Sequence, residues 1–160
     1  MTSEPSVVEV TLESDLKNLE AAEEIARRVA GTAGFSEESK HQIEMALHEA
    51  MINAIWHGNK NDPSKSVWLR FETYKDRLEI RVRDQGNGFN IAEVADPCCT
   101  ENLLKVSGRG IFLIRTFMDE FHVKHFPGSG TEVTLIKRIH PHQPTQGGTD
   151  REHESHNSTS

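Results

Sequence analysis

Apolar residues along this chain switch between two spacings, and the switches outline an α+β domain. In Leu78-Glu79-Ile80-Arg81-Val82-Arg83 every second residue is apolar, which predicts a strand with one buried face. The same alternation predicts a first strand over 7–12, with Val8, Val10 and Leu12 on one face, and another over 67–73, with Val67, Leu69 and Phe71 inward. Tyr74-Lys75-Asp76 turns that strand into the one ending at Asp84, so the pair reads as a hairpin. Its other face carries Arg70, Glu72, Glu79 and Arg81, as expected of a sheet covered by helices on one side only. Two more strands, over 121–126 and 131–139, flank the turn Pro127-Gly128-Ser129-Gly130, with Val133 and Leu135 on one face of the last.

Helical spacing appears in three places. Ser14-Asp15 opens the first helix, where Leu16, Leu19, Ala22, Ile25, Ala26 and Val29 recur, and Gly31 and Gly34 mark its end. The second begins at Ser36-Glu37-Glu38-Ser39, whose acidic residues suit a helix N-terminus, and is predicted to reach His57, with Gly58 as its stop. Its buried face is Ile43, Leu47, Ala50, Met51 and Ala54. The third carries Ile111, Phe112, Ile114, Arg115, Phe117 and Met118. Between the glycine clusters, 89–95 reads as a short helix and 96–105 shows no period.

Length and composition narrow the function. With 160 residues the chain forms one domain, assigned to 1–140, because the Gly, Ser, His and Glu-rich remainder over 141–160 is too polar to bury a core and reads as a disordered tail. A net charge of -7 without any basic run argues against direct binding of nucleic acid or an anionic membrane, and suits a basic protein partner as well as plain solubility. No apolar stretch has membrane-spanning length, and the first residues carry no signal-peptide pattern. Cys98 and Cys99 are adjacent and have no zinc-type spacing, so the expected location is the reducing cytoplasm.

Four short stretches carry candidate chemistry. Asp84-Gln85-Gly86-Asn87-Gly88 ends a strand with a carboxylate and glycines, which fits an Asn-Gly turn or a ligand pocket. Glu49, Asn53 and His57 form a polar stripe along the second helix. Asn is a poor mid-helix residue, and a carboxylate one turn before an amide oxygen could activate a nucleophile and hold a hard metal ion. Gly108-Arg109-Gly110 opens a helix, where free N–H groups and the dipole can face a phosphate; Arg109 adds charge there or faces water. Gly130-Thr131 leaves a hairpin.

Taken together and in this order, Glu49-x-x-x-Asn53, Asp84-x-Gly86-x-Gly88, Gly108-x-Gly110 and Gly130-Thr131 resemble the N, G1, G2 and G3 boxes of the GHKL ATPase superfamily over roughly 7–139. The helix from Glu49 to Gly58 and that from Ser107 to Glu120 are similar to those of the stand-alone anti-sigma factor serine kinases of the SpoIIAB and RsbW type. The resemblance implies a two-layer α/β sandwich, a mixed sheet with helices on one face, and a mobile lid at roughly 90–107. By position, Asp84 would receive the adenine amino group of ATP, and Gly86 and Gly88 would allow its close approach. Asn53 would bind Mg²⁺, Gly108 and Gly110 would hold the phosphates, and Thr131 would lie near the adenine. Glu49 would be the general base. Val106 stands where some relatives carry an arginine, a role open to Lys105 or Arg109. The implied function is a serine/threonine-protein kinase that sequesters an RNA polymerase sigma factor and phosphorylates a STAS-domain anti-sigma antagonist, working as a homodimer. The alternative is a non-catalytic, ATP-responsive partner-switching module in another bacterial signalling pathway.

Overall fold

A computed structural model of the chain describes residues 4–86 and 108–140. Expectations that fall on Gly88, the helix over 89–95, the lid, Cys98 and Cys99, and the tail over 141–160 lie outside the described residues, as does the side chain of Arg109.

Five strands form one sheet in the order β1-β2-β3-β5-β4: β1 (Ser6–Glu13), β2 (Ser66–Thr73), β3 (Arg77–Arg83), β4 (Glu120–Phe126) and β5 (Gly130–Arg138). The helices α1 (Leu19–Ala33), α2 (Glu37–Ile52) and α3 (Gly108–Phe117) pack on one face, with α2 against both others. The architecture is the expected α+β sandwich. Every described pairing is antiparallel, whereas the resemblance implied a mixed sheet. The reason is the position of β5. Strands β3 and β4 run in the same direction, but β5 inserts between them and hydrogen-bonds to both.

The alternating residues behave as read. Val67, Leu69, Phe71, Leu78, Ile80, Val82, Val133 and Leu135 are buried under the helices and join Ile43, Leu47, Met51 and Ile114 in one core. The opposite face is an ion-pair lattice: Arg70 reaches Glu72 at 2.6 Å and Glu9 at 3.0 Å, and Arg77 reaches Glu79 at 2.9 Å. Lys137 lies on the helix side, donating to the carbonyl of Phe117 and to Gln42, and so ties the end of α3 to α2.

Helix ends follow their capping residues. Gly34 takes φ +93 and closes α1, and the Ser36 hydroxyl accepts from the Ser39 amide to open α2. Two apolar assignments fail locally. Leu16 sits in a 3₁₀ turn capped by Asp15, ahead of α1, and is exposed. Val8 lies 39% exposed at the rim of an open groove beside Val29 and Thr32, because the helices cover only the Val10 and Leu12 end of edge strand β1. The largest departure is at the end of α2. Regular α-helix stops at Ile52, and Asn53–Gly58 forms a π-turn in place of a plain helix running to His57. The Asn59 amide bonds back five residues to the Ala54 carbonyl at 2.8 Å, which widens the turn and displaces Gly58 toward the end of β3.

Candidate functional site

Just past the end of β3, Asp84 turns inward with only 3% of its surface exposed. Its backbone amide donates to the Thr131 carbonyl at 3.0 Å. Its Oδ1 accepts from the amides of Gly86 at 2.9 Å and Thr131 at 3.1 Å. Oδ2 accepts no hydrogen bond from the described residues. Burial pushes this carboxyl above its ordinary value, and the Gly86 and Thr131 amides pull it part of the way back. Beside it, Thr131 is 1% exposed, and its Oγ1 has no hydrogen-bond partner among the described residues. A buried carboxylate and a buried hydroxyl left open by the described residues are costly unless something else completes the set.

Glycines make this cluster possible. A Cβ on Gly58 would lie 2.1 Å from Asp84 Oδ2, so the wide π-turn presents bare backbone to the carboxylate. A Cβ on Gly86 would lie 1.7 Å from the Gly58 carbonyl oxygen. The absence of a side chain at Gly86 thus first serves packing against the π-turn, whereas the glycine box reserves it for a ligand. Gly130 has φ +100, and a Cβ there would meet the Asp84 carbonyl at 2.1 Å.

On the neighbouring helices, Glu49 and Asn53 lie one turn apart, with the Asn53 amide bonded to the carbonyls of Glu49 and Ala50. Asn53 is the first residue of the π-turn and is 7% exposed. Gly110, in the first turn of α3, comes so close to Glu49 that a Cβ would lie 2.5 Å from Oε2. The structure therefore brings Glu49, Asn53, Asp84, Gly86, Gly110 and Thr131 together through three contacts: α2 with α3, the π-turn with Gly86, and β3 with β5. Gly108 begins α3, as the glycine-box reading expected. Among the described residues no group of His, Cys, Asp and Glu side chains could hold a metal ion without help.

Two participants escaped the sequence reading. The sequence pattern marks Gly58 as a helix stop. It marks Asn59, which is wholly buried, as the start of a polar loop. Its Oδ1 accepts from the Gln85 amide at 2.7 Å and its Nδ2 donates to the Ser66 carbonyl at 3.0 Å. The signal available was a Gly-Asn pair directly after an apolar helix, which reads equally well as an ordinary cap.

A family model of the histidine kinase-like ATPase domain matches residues 12–137. The chain belongs to that family. Its relatives include the serine-protein kinase RsbW of Bacillus licheniformis, 32% identical over 133 residues that cover 79% of this chain and 82% of the relative. That of Listeria innocua is 31% identical over 124 residues, covering 72% and 76%. The protein of the same name from Bacillus subtilis strain 168 is 29% identical over 133 residues, covering 79% and 82%. These matches place the chain among the serine-protein kinases of the histidine kinase-like ATPase family, and that membership implies the use of ATP.

Proposed function

We propose that this protein is an anti-sigma serine kinase that binds ATP with Mg²⁺, sequesters an RNA polymerase sigma factor, and phosphorylates a STAS-type antagonist on serine. The observation that carries the reading is the buried Thr131 Oγ1 and the neighbouring Asp84 Oδ2, neither of which has a hydrogen-bond partner among the described residues, beside the π-turn that Asn53 begins, with Glu49 one turn earlier against Gly110 of α3.

The residues present fit the nucleotide. Asp84 offers a carboxylate oxygen to the adenine amino group, and Thr131 lies beside it. Asn53 would hold Mg²⁺ jointly with the phosphates, since no acidic or imidazole cluster does so alone among the described residues. Gly108, Gly110 and the first turn of α3 provide free N–H groups for phosphate, and Gly88 and Arg109 belong to the same proposal. Bound ATP supplies the phosphoryl group. The chain's part is to position a serine hydroxyl and to take its proton at the Glu49 carboxylate, because phosphoryl transfer asks the protein mainly for positioning, charge neutralisation and a base.

The partners follow from the same reading. An acidic protein of net charge -7 suits a basic partner surface better than a nucleic acid. A cytoplasmic homodimer completes the proposal, and light scattering of the purified protein checks the dimer. The decisive test is Glu49→Gln. It should keep ATP binding and abolish phosphoserine formation on an antagonist captured from the source organism, while a sigma factor is retained in the same capture. Unchanged transfer removes Glu49 as the base, and capture without a sigma factor removes the transcriptional role.

A further inference from the structure

We propose that Asn59 is a positioning residue that sets the preference of the site for adenine, by holding the Asp84–Gly86 turn against the π-turn. The inference rests on the ATP-binding reading above and assigns to it a residue outside the sequence motifs.

Asp84 Oδ1 is occupied by the amides of Gly86 and Thr131, so Oδ2 is the oxygen left for an exocyclic amino group. The direction of Oδ2 is set from below by Gly58, whose missing side chain leaves room for it. The position of Gly58 relative to Asp84 is therefore what aims the acceptor.

Asn59 follows Gly58 directly and fixes that relation. Its backbone amide closes the π-turn on Ala54 at 2.8 Å. Its side chain accepts from the Gln85 amide, which adjoins Asp84, and donates to the Ser66 carbonyl at the start of β2. Gln85 Oε1 accepts in turn from the Ser66 amide at 2.8 Å, closing a loop of bonds through three segments. The Asn59 carboxamide is wholly buried and both its ends are used, so its orientation is determined. It touches neither substrate nor reacting atoms in this reading; it acts through Asp84.

The test compares ATP with inosine triphosphate, which carries a 6-oxo group in place of the amino group and otherwise the same ribose and phosphates. Binding of each to the full chain with Mg²⁺ is measured for the wild type, Asn59→Ala, Asn59→Asp and Asp84→Asn. The wild type should prefer ATP, and Asp84→Asn should lose that preference. Asn59→Ala should lower ATP affinity about tenfold, the scale of one hydrogen bond to a charged group, while inosine triphosphate affinity stays nearly constant. Asn59→Asp retains an oxygen acceptor for the Gln85 amide and should retain most of the ratio.

A role confined to stability would lower both affinities together, or lower only the melting temperature, and either result overturns the proposal. Loss of the ratio in Asn59→Asp also overturns it, since the acceptor would then not be what matters. Should Asn59→Ala fail to fold, Asn59→Ser replaces it: its oxygen is too short to reach Gln85, and it should show the same collapsed ratio. A wild type that does not prefer ATP, or that is indifferent to Asp84→Asn, defeats the underlying ATP-site reading. A wild type that prefers ATP with a ratio insensitive to Asn59 defeats this inference alone.

Discussion

Gly86→Ala tests the contact on which the site geometry depends. The added Cβ would lie 1.7 Å from the Gly58 carbonyl oxygen, 2.5 Å from its carbon and 3.1 Å from its Cα. Ordinary contact begins at 3.4 Å, so the oxygen must retreat by 3.4 − 1.7 = 1.7 Å. The obstacle is backbone, held by the Asn59 amide bond to Ala54, so no side-chain rotation relieves it. Separating the two segments strains the Gly86 amide bond to Asp84 and the Gln85 amide bond to Asn59. Overpacking costs about 1–3 kcal/mol, and losing an amide-to-carboxylate bond about 1.5–3 kcal/mol. Adding the two lower ends gives about 2.5 kcal/mol, or a fall in melting temperature of about 10 °C for a domain of this size. Gly34→Ala is the matched control: its φ of +93 is strained for alanine, but nothing lies within 4 Å of the new Cβ. It should cost about 1–2 kcal/mol and leave nucleotide binding alone. Urea unfolding and ATP titration of both variants give the comparison. If Gly86→Ala is no less stable than Gly34→Ala and binds ATP like the wild type, the packing of Gly86 on Gly58 is not what builds the site.

Three further outcomes follow from the same geometry. Thr131→Val removes a buried hydroxyl that has no partner among the described residues, so the nucleotide-free protein should gain about 1 kcal/mol in urea unfolding while its ATP affinity falls; a parallel loss of both would refute the assignment. Asp84 has a folded-state carboxyl raised above its unfolded value, so on acidification the folded state takes up this proton first. The stability contribution of Asp84 therefore rises as pH falls through that raised value, while ATP affinity, which needs the carboxylate, falls; titrations across the acid range should show the affinity loss in the wild type and not in Asp84→Asn. Gly110→Ala meets only the far end of the Glu49 side chain at 2.5 Å, so stability should change by less than about 1 kcal/mol while phosphoryl transfer falls by about 100-fold, measured as phosphoserine on the antagonist.

Legibility in the sequence followed the range of the interactions. The strands of the β2–β3 hairpin were readable because one face is buried and the other is a charged lattice, so Leu78, Ile80 and Val82 alternate cleanly with Glu79 and Arg81. Gly34 was readable as a left-handed cap because its requirement is local. The insertion of β5 between β3 and β4 was not, since the pairing of Ile80 with Leu135 spans residues that no local period connects. The π-turn was hidden for another reason. Over six residues, its wider spacing differs from an α-helix by about one position, which is within the ambiguity of any apolar run such as Ala54-Ile55-Trp56. Asn59 was hidden because a buried carboxamide bonded at both ends and a solvated loop carboxamide have the same one-letter code.

The glycines connect these levels. Gly58, Gly86 and Gly130 each leave out a Cβ that would strike either Asp84 or the backbone beside it, and Gly110 does the same at Glu49. Of these, the sequence pattern assigns ligand clearance to Gly86, a helix stop to Gly58, a hairpin exit to Gly130 and phosphate binding to Gly110. In the folded chain three of the four spaces are filled by the site's own acidic residues or by the carbonyl of Asp84, and the fourth by the Gly58 carbonyl. The two carboxylates are thus enclosed by backbone on the sides where ordinary side chains would stand. That enclosure desolvates Asp84 and raises its proton affinity, yet leaves Oδ2 and the Thr131 hydroxyl without partners among the described residues. A fold that accepts this cost at one spot while bonding Asn59 at both ends of its carboxamide has its unmet polar capacity where an adenine could meet it.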